Sequence, residues 1–202
     1  MINAFDHNFG LFAALVAIML TSCSGERVDK HVVDSILAMT TTIESPAIDS
    51  TVSDSTVAGC CFVDFEGVDY STGKRRTLGK YIEGHVALVD FWASWCRPCR
   101  YTIQYRLKDI YKEYRKRGLV IVGVDVRDDV DDHRRAIGEL NIKWPQLLDV
   151  YHHGLDAYHV TAIPHMMLID HHGTIIASPL SEQNLEQEIE AALSRWEAEK
   201  GF

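Results

Sequence analysis

His85 to Trp92 (HVALVDFW) is an apolar run carrying one acidic side chain, Asp90, and it leads directly into Ala93-Ser94-Trp95-Cys96-Arg97-Pro98-Cys99. So apolar a stretch reads as a strand covered on both faces, the kind found inside parallel sheets. Beyond it, Ile103, Leu107, Ile110 and Tyr114 recur every three or four residues, which predicts a helix from Cys99 to Lys116. Gly118 is placed to end that helix as a left-handed cap, and Leu119 to Val126 (LVIVGVDV) repeats the buried-strand pattern. Two predominantly apolar strands with a helix between them constrain the chain to an α/β architecture.

The remaining segments extend this pattern. Cys61 to Phe65 and Gly67 to Tyr70 read as a short pair of strands, with Ser71-Thr72-Gly73-Lys74 as a turn. Asp131 to Leu140 and Asp149 to Tyr158 read as helices. His165 to Asp170 and Thr174 to Ala177 read as strands joined by His171-His172-Gly173, and Glu182 to Lys200 as a closing helix. The order β-α-β-α-α-β-β-α predicts a mixed sheet with helices on both faces. The whole chain has 202 residues, room for one ordinary domain and a tail. Its 20 Lys+Arg against 29 Asp+Glu, a net charge of −9, argue against nucleic acid as a partner. No G-x-G-x-x-G follows a strand, so no nicotinamide or flavin cofactor is expected.

The chemistry concentrates at the cysteine pair. A strand that breaks into a helix at Cys96 puts this thiol among unpaired backbone N–H groups at a helix N-terminus, where the dipole favours a thiolate. Arg97 and Arg100 add positive charge, and Pro98 is tolerated in a first turn. Cys99 stands one turn on, close enough to pair. The expected division of labour is attack by Cys96 on a disulfide, then resolution of the mixed disulfide by Cys99. A zinc site would need two further ligands. Cys60-Cys61 is a poor chelator for one ion, so no metal is expected there; those cysteines read as core residues ahead of the first strand, with a vicinal disulfide or a second exchange site as the alternative. His152-His153 and His171-His172 read as solvated turns, without an acidic or sulfur partner at helical spacing.

Val89 to Cys99 (VDFWASWCRPC) resembles the active-site motif of thioredoxin-fold proteins, and is most similar to the membrane-tethered extracytoplasmic branch related to TlpA and ResA. A second stretch supports the resemblance: Tyr158-His159-Val160-Thr161-Ala162-Ile163-Pro164-His165, then Leu168-Ile169-Asp170 and Gly173. Trp144-Pro145-Gln146-Leu147-Leu148-Asp149 matches a third segment of that branch. The resemblance implies a thioredoxin-like fold, a catalytic pair Cys96 and Cys99, and a cis peptide before Pro164 facing that pair. It implies that Asp90 is a buried acid relaying the proton of the resolving thiol. Trp95, Arg97, Pro98, Ile163 and His165 would then contact substrate. Four positions depart from the pattern: Thr102 stands where a Glu is frequent, Gln104 where a Pro is frequent, Arg97 where Gly is common, and His165 where Thr is usual. An imidazolium beside Cys96 would favour its thiolate and make the pair more oxidising.

The N-terminus points to export. Phe9 to Leu20 (FGLFAALVAIML) is shorter than the about 20 residues of a spanning helix but fits the apolar core of a secretory signal. Leu20-Thr21-Ser22-Cys23 resembles the lipobox of bacterial lipoproteins, although Asp6 and His7 stand where a signal is normally basic. Residues 1–22 are thus expected to be a signal peptide, with Cys23 lipidated. Residues 23–58 would be a flexible tether and 59–202 the thioredoxin-like domain, on the periplasmic or cell-surface side of a membrane. Its expected partners are oxidised protein clients and a membrane electron donor. Two rival readings remain: a peroxide reductase, weakened by Ala93 where peroxiredoxins carry Thr or Ser, and a non-enzymatic metal-binding or docking module.

Overall fold

The computed structural model describes residues 58–201. The signal segment, Cys23 and all but the end of the tether lie outside the described residues. The elements run β1 (Glu66–Asp69), β2 (Arg75–Thr77), α1 (Gly79–Ile82), β3 (Val86–Trp92), α2 (Arg97–Thr102), a π-helical turn (Ile103–Leu107) and α3 (Lys108–Tyr114). They continue with a 3-10 turn (Arg115–Arg117), β4 (Leu119–Asp125), α4 (Val130–Leu140), β5 (Gln146–Leu148), α5 (His153–Ala157), β6 (His165–Ile169), β7 (Ile175–Ala177) and α6 (Leu185–Lys200). The strands form one sheet in the order β2-β1-β5-β4-β3-β6-β7. β3, β4 and β5 are parallel, and the flanking pairs are antiparallel.

β3 is the axis of the fold. All seven of its residues are buried, because β4 and β6 flank it and both its faces are covered. Alternation sorts its side chains. Leu88 and Trp92 join one cluster with Cys96, Cys99, Ile103, Leu107, Ala136, Ile137 and Leu193. Ala87, Val89 and Phe91 join another with Phe65, Ile82, Leu155 and Tyr158. Helices α2, α3, α4 and α6 thus supply one face, and α1 and α5 the other.

Gly118 caps the long helical segment with φ +103°, and a Cβ there would lie 2.2 Å from the Trp196 ring. Both facts require glycine.

Three expectations are corrected. The turn at Ser71–Lys74 is present, but it joins β1 to β2, not the two segments before it. Asp69 builds it by accepting from the Thr72 N–H at 2.6 Å and the Ser71 hydroxyl at 2.6 Å. Cys61 lies in an isolated bridge to Thr174, outside any named strand. Cys60 and Cys61 are exposed and are not core residues, because this segment pairs its backbone antiparallel with Gly173–Ile175 and its side chains are left facing solvent. Finally, Asp149 to Tyr158 is helical only over the short α5, while Gln146–Leu148 pairs with β1 and β4 as a strand.

Candidate active site

The loop after β3 is held in place before it reaches the cysteines. Ser94 donates its N–H to Asp128 Oδ2 at 2.6 Å and its hydroxyl to Oδ1 at 2.9 Å. Asp128 sits just past the end of β4, where the loops of parallel strands gather. Cys96 is the N-cap residue of α2, with extended backbone, and its Sγ accepts from the Cys99 N–H at 3.2 Å. Cys96 and Cys99 are joined as a disulfide with Cα atoms 5.3 Å apart. They are buried, whereas Trp95, Arg97 and Pro98 are exposed, Trp95 by 58%.

The Ile163–Pro164 peptide is cis. Ile163 is half-buried against the cluster that contains both cysteines. The two motifs, distant in sequence, therefore meet because β6 lies antiparallel against β3.

Asp90 shares the cysteine face of β3 with Leu88 and Trp92. It is 1% exposed, and its Oδ1 has no hydrogen-bond partner among the described residues. Burial, with the Glu182 carboxylate as a second cause, pushes its carboxyl up to about 7. Glu182 reaches this site from the segment before α6. Its Oε1 accepts from the Thr102 hydroxyl, which also lies 3.2 Å from the Pro98 carbonyl. Thr102 is buried one turn beyond Cys99. An acid near the second cysteine is thus supplied by a side chain 80 residues downstream of Thr102. No local pattern in the sequence marks Glu182, and the sequence reading missed it.

His165 opens β6. Its ring packs edge-on against Phe91 at 5.7 Å, and its Nε2 lies 3.0 Å from the Ser178 hydroxyl. Phe91 belongs to the cluster opposite the cysteines. Along β6 the alternation gives Met166, not His165, to the cysteine face.

A second buried polar group stands behind the loop, also unmarked by any motif. His133 Nδ1 lies 2.8 Å from Asp125 Oδ2, both side chains nearly or wholly inaccessible. Burial, then the adjacent Asp128, pushes Asp125 up to about 9. Burial likewise pushes His133 down to about 4. The His133 ring is 6.1 Å from Trp92, and Trp92 donates its indole N–H to Gln146 Oε1 at 2.9 Å. Gln146 fits there because residue 123 is glycine: a Cβ would lie 2.2 Å from Oε1.

Residues 58–178 match the AhpC/TSA family. The chain is similar to the thiol-disulfide oxidoreductase ResA of Bacillus thuringiensis (strain Al Hakam), 27% identical over 115 residues, which cover 57% of this chain and 65% of that protein. It is 29% identical to ResA of Bacillus subtilis (strain 168) over 106 residues, 52% of this chain and 58% of the relative. The chain thus spans less than two thirds of the length of either relative. Among solved structures, the thioredoxin domain of a thiol-disulfide oxidoreductase from Bacteroides vulgatus superposes with TM-score 0.60 at 31% identity, covering 66% of this chain and 96% of that one. A thiol:disulfide interchange protein from Bacteroides sp. gives TM-score 0.60 at 30% identity, with 68% and 90% covered. The sheet order, the cysteine pair at a helix start and these matches agree: the chain belongs to the AhpC/TSA family, with a thioredoxin-like fold of the ResA/TlpA type.

Proposed function

We propose that the chain is a membrane-anchored, extracytoplasmic thiol–disulfide oxidoreductase that reduces protein disulfides through Cys96 and Cys99. The observation that carries this reading is the Cys96 sulfur at the start of α2, accepting from the Cys99 N–H, over a buried carboxyl at Asp90. In the reduced chain the same N–H and the helix dipole favour the Cys96 thiolate. That thiolate attacks one sulfur of a client disulfide, and the other sulfur leaves as a thiol. Cys99 then attacks Cys96 of the mixed disulfide, releasing the second client thiol and forming the Cys96–Cys99 bond. Asp90, as a carboxylate, takes the Cys99 proton. A carboxyl titrating near 7 suits that task at neutral pH. The exposed Trp95, Arg97 and Pro98, with the Ile163 backbone before Pro164, form the surface that receives the client strand. Each turnover leaves the pair oxidised, so a membrane donor must return two electrons. No cofactor beyond the cysteine pair is invoked, and Cys23 would carry the lipid.

The test is turnover of a protein disulfide by the reduced chain. Cys96→Ser should abolish it, Cys99→Ser should trap a mixed disulfide, and peroxide consumption should stay at background in all three proteins. Disulfide reduction that survives Cys96→Ser, or Cys96-dependent peroxide turnover, would overturn the reading. The direction of flow is read from the reduction potential of the pair. A value near roughly −270 mV supports a reductase, and one near about −120 mV an oxidant.

A further inference from the structure

His171 and His172 sit in the turn between β6 and β7, and Glu199 in the last turn of α6. The acidic partner that the histidine pair lacks in sequence is supplied by the fold, from 27 and 28 residues away. Glu199 Oε2 lies 2.7 Å from His171 Nε2 and 3.2 Å from His172 Nε2. The three ligand atoms all lie within 4.8 Å of one another. A tetrahedral ion with bonds of about 2.0–2.1 Å holds its donors roughly 3.3 Å apart, so small side-chain adjustments suffice.

We propose that His171, His172 and Glu199 form a binding site for a divalent metal ion of the zinc class, with water completing the coordination. Two neutral imidazoles and one carboxylate are a recurrent donor set for such an ion. The rings lie 3.9 Å apart by centroid, and both present Nε2 to the same Glu199 oxygen. Trp196 lies one turn before Glu199, its ring 5.9 Å from His171. It backs the site from inside, leaving the His171 side chain 14% exposed. His172 and Glu199 are 64% and 53% exposed, so an ion can enter from solvent. Once bound, the ion would tie the β6–β7 turn to the end of α6 and stabilise the folded state by mass action.

The experiment is calorimetric titration of the full chain with Zn²⁺ alone, in the oxidised state so that Cys96 and Cys99 offer no thiolate, alongside thermal melts. One ion per chain and a raised Tm are expected. His172→Asn, on an exposed turn, and Glu199→Gln should each weaken binding by at least about tenfold, while Cys60→Ser should leave it unchanged. Absence of binding at tens of micromolar Zn²⁺, or affinity unmoved in both site variants, would overturn the assignment. So would binding that is lost in Cys60→Ser.

Discussion

A buried carboxyl group is costly when charged, and Asp90, whose Oδ1 has no hydrogen-bond partner among the described residues, lowers that cost by keeping its proton to about pH 7. Burial is the main cause and the Glu182 charge the second, so the two can be separated by substitution. Glu182→Gln removes the like charge and leaves the burial. The midpoint for resolution of a mixed disulfide by Cys99 is therefore expected to move to lower pH, while staying well above an ordinary aspartate's. That profile is measured by quenching single turnovers across pH 5–9. A midpoint unmoved or raised would show that Glu182 does not face Asp90 in solution. On the proposed mechanism, Asp90→Asn should slow the step and remove the midpoint near 7, leaving only the rise with pH that ionisation of the Cys99 thiol itself brings.

Among the elements, legibility tracked length and periodicity. β3, β4 and the helical segment after Cys96 are long, and they were readable from apolar runs and from three-to-four spacing. β5 was not: Gln146–Leu148 is too short to show a period, and it is a strand only because β1 and β4 flank it. α5 shrank for a related reason, since its start is set by one side chain. Asp149 is buried and accepts from the N–H groups of His153, Gly154 and Leu155 at 2.9, 2.8 and 3.3 Å. The sequence resemblance marked Asp149 without showing this task. Likewise the cysteine pair and Pro164 were legible as local motifs, whereas Glu182, Asp128 and His133 reach the site only through folding. Removing Asp149's carboxylate would strand three N–H groups of a buried turn. Asp149→Ala is expected to cost about 2–3 kcal/mol, read as a lower denaturant midpoint with the slope unchanged. A loss under about 0.5 kcal/mol, the range of ordinary surface changes, would mean that α5 does not depend on this cap.

Across the whole molecule the buried acids set an unusual pH profile. Asp69 is lowered to about 2: burial opposes its charge, but hydrogen bonds from Ser71, Tyr81 and Thr72 outweigh it. Its contribution is present above the unfolded value of 3.8 and is lost as pH falls toward 2. Asp90 acts in the opposite sense. Between 3.8 and about 7 the folded chain holds a proton that the unfolded chain has released, so stability falls as pH rises through that window. Asp125 and His133 share one proton in the fold, whichever of them carries it. Between about pH 4 and 6.5 the unfolded pair also holds one, and the slope from this pair is flat. Above 6.5 the unfolded pair has none, and the fold loses stability up to about 9, where Asp125 ionises. These groups together place the maximum of the oxidised chain near pH 4–5, with a decline through neutrality, rather than at the more usual pH 5–8. Denaturant midpoints measured from pH 3 to 9 should show it. Asp90→Asn should flatten the slope between pH 4 and 7 and leave the fall from 7 to 9, because the latter belongs to the Asp125–His133 pair. A maximum near pH 8 in the unsubstituted chain would show that neither buried acid keeps its proton in the fold.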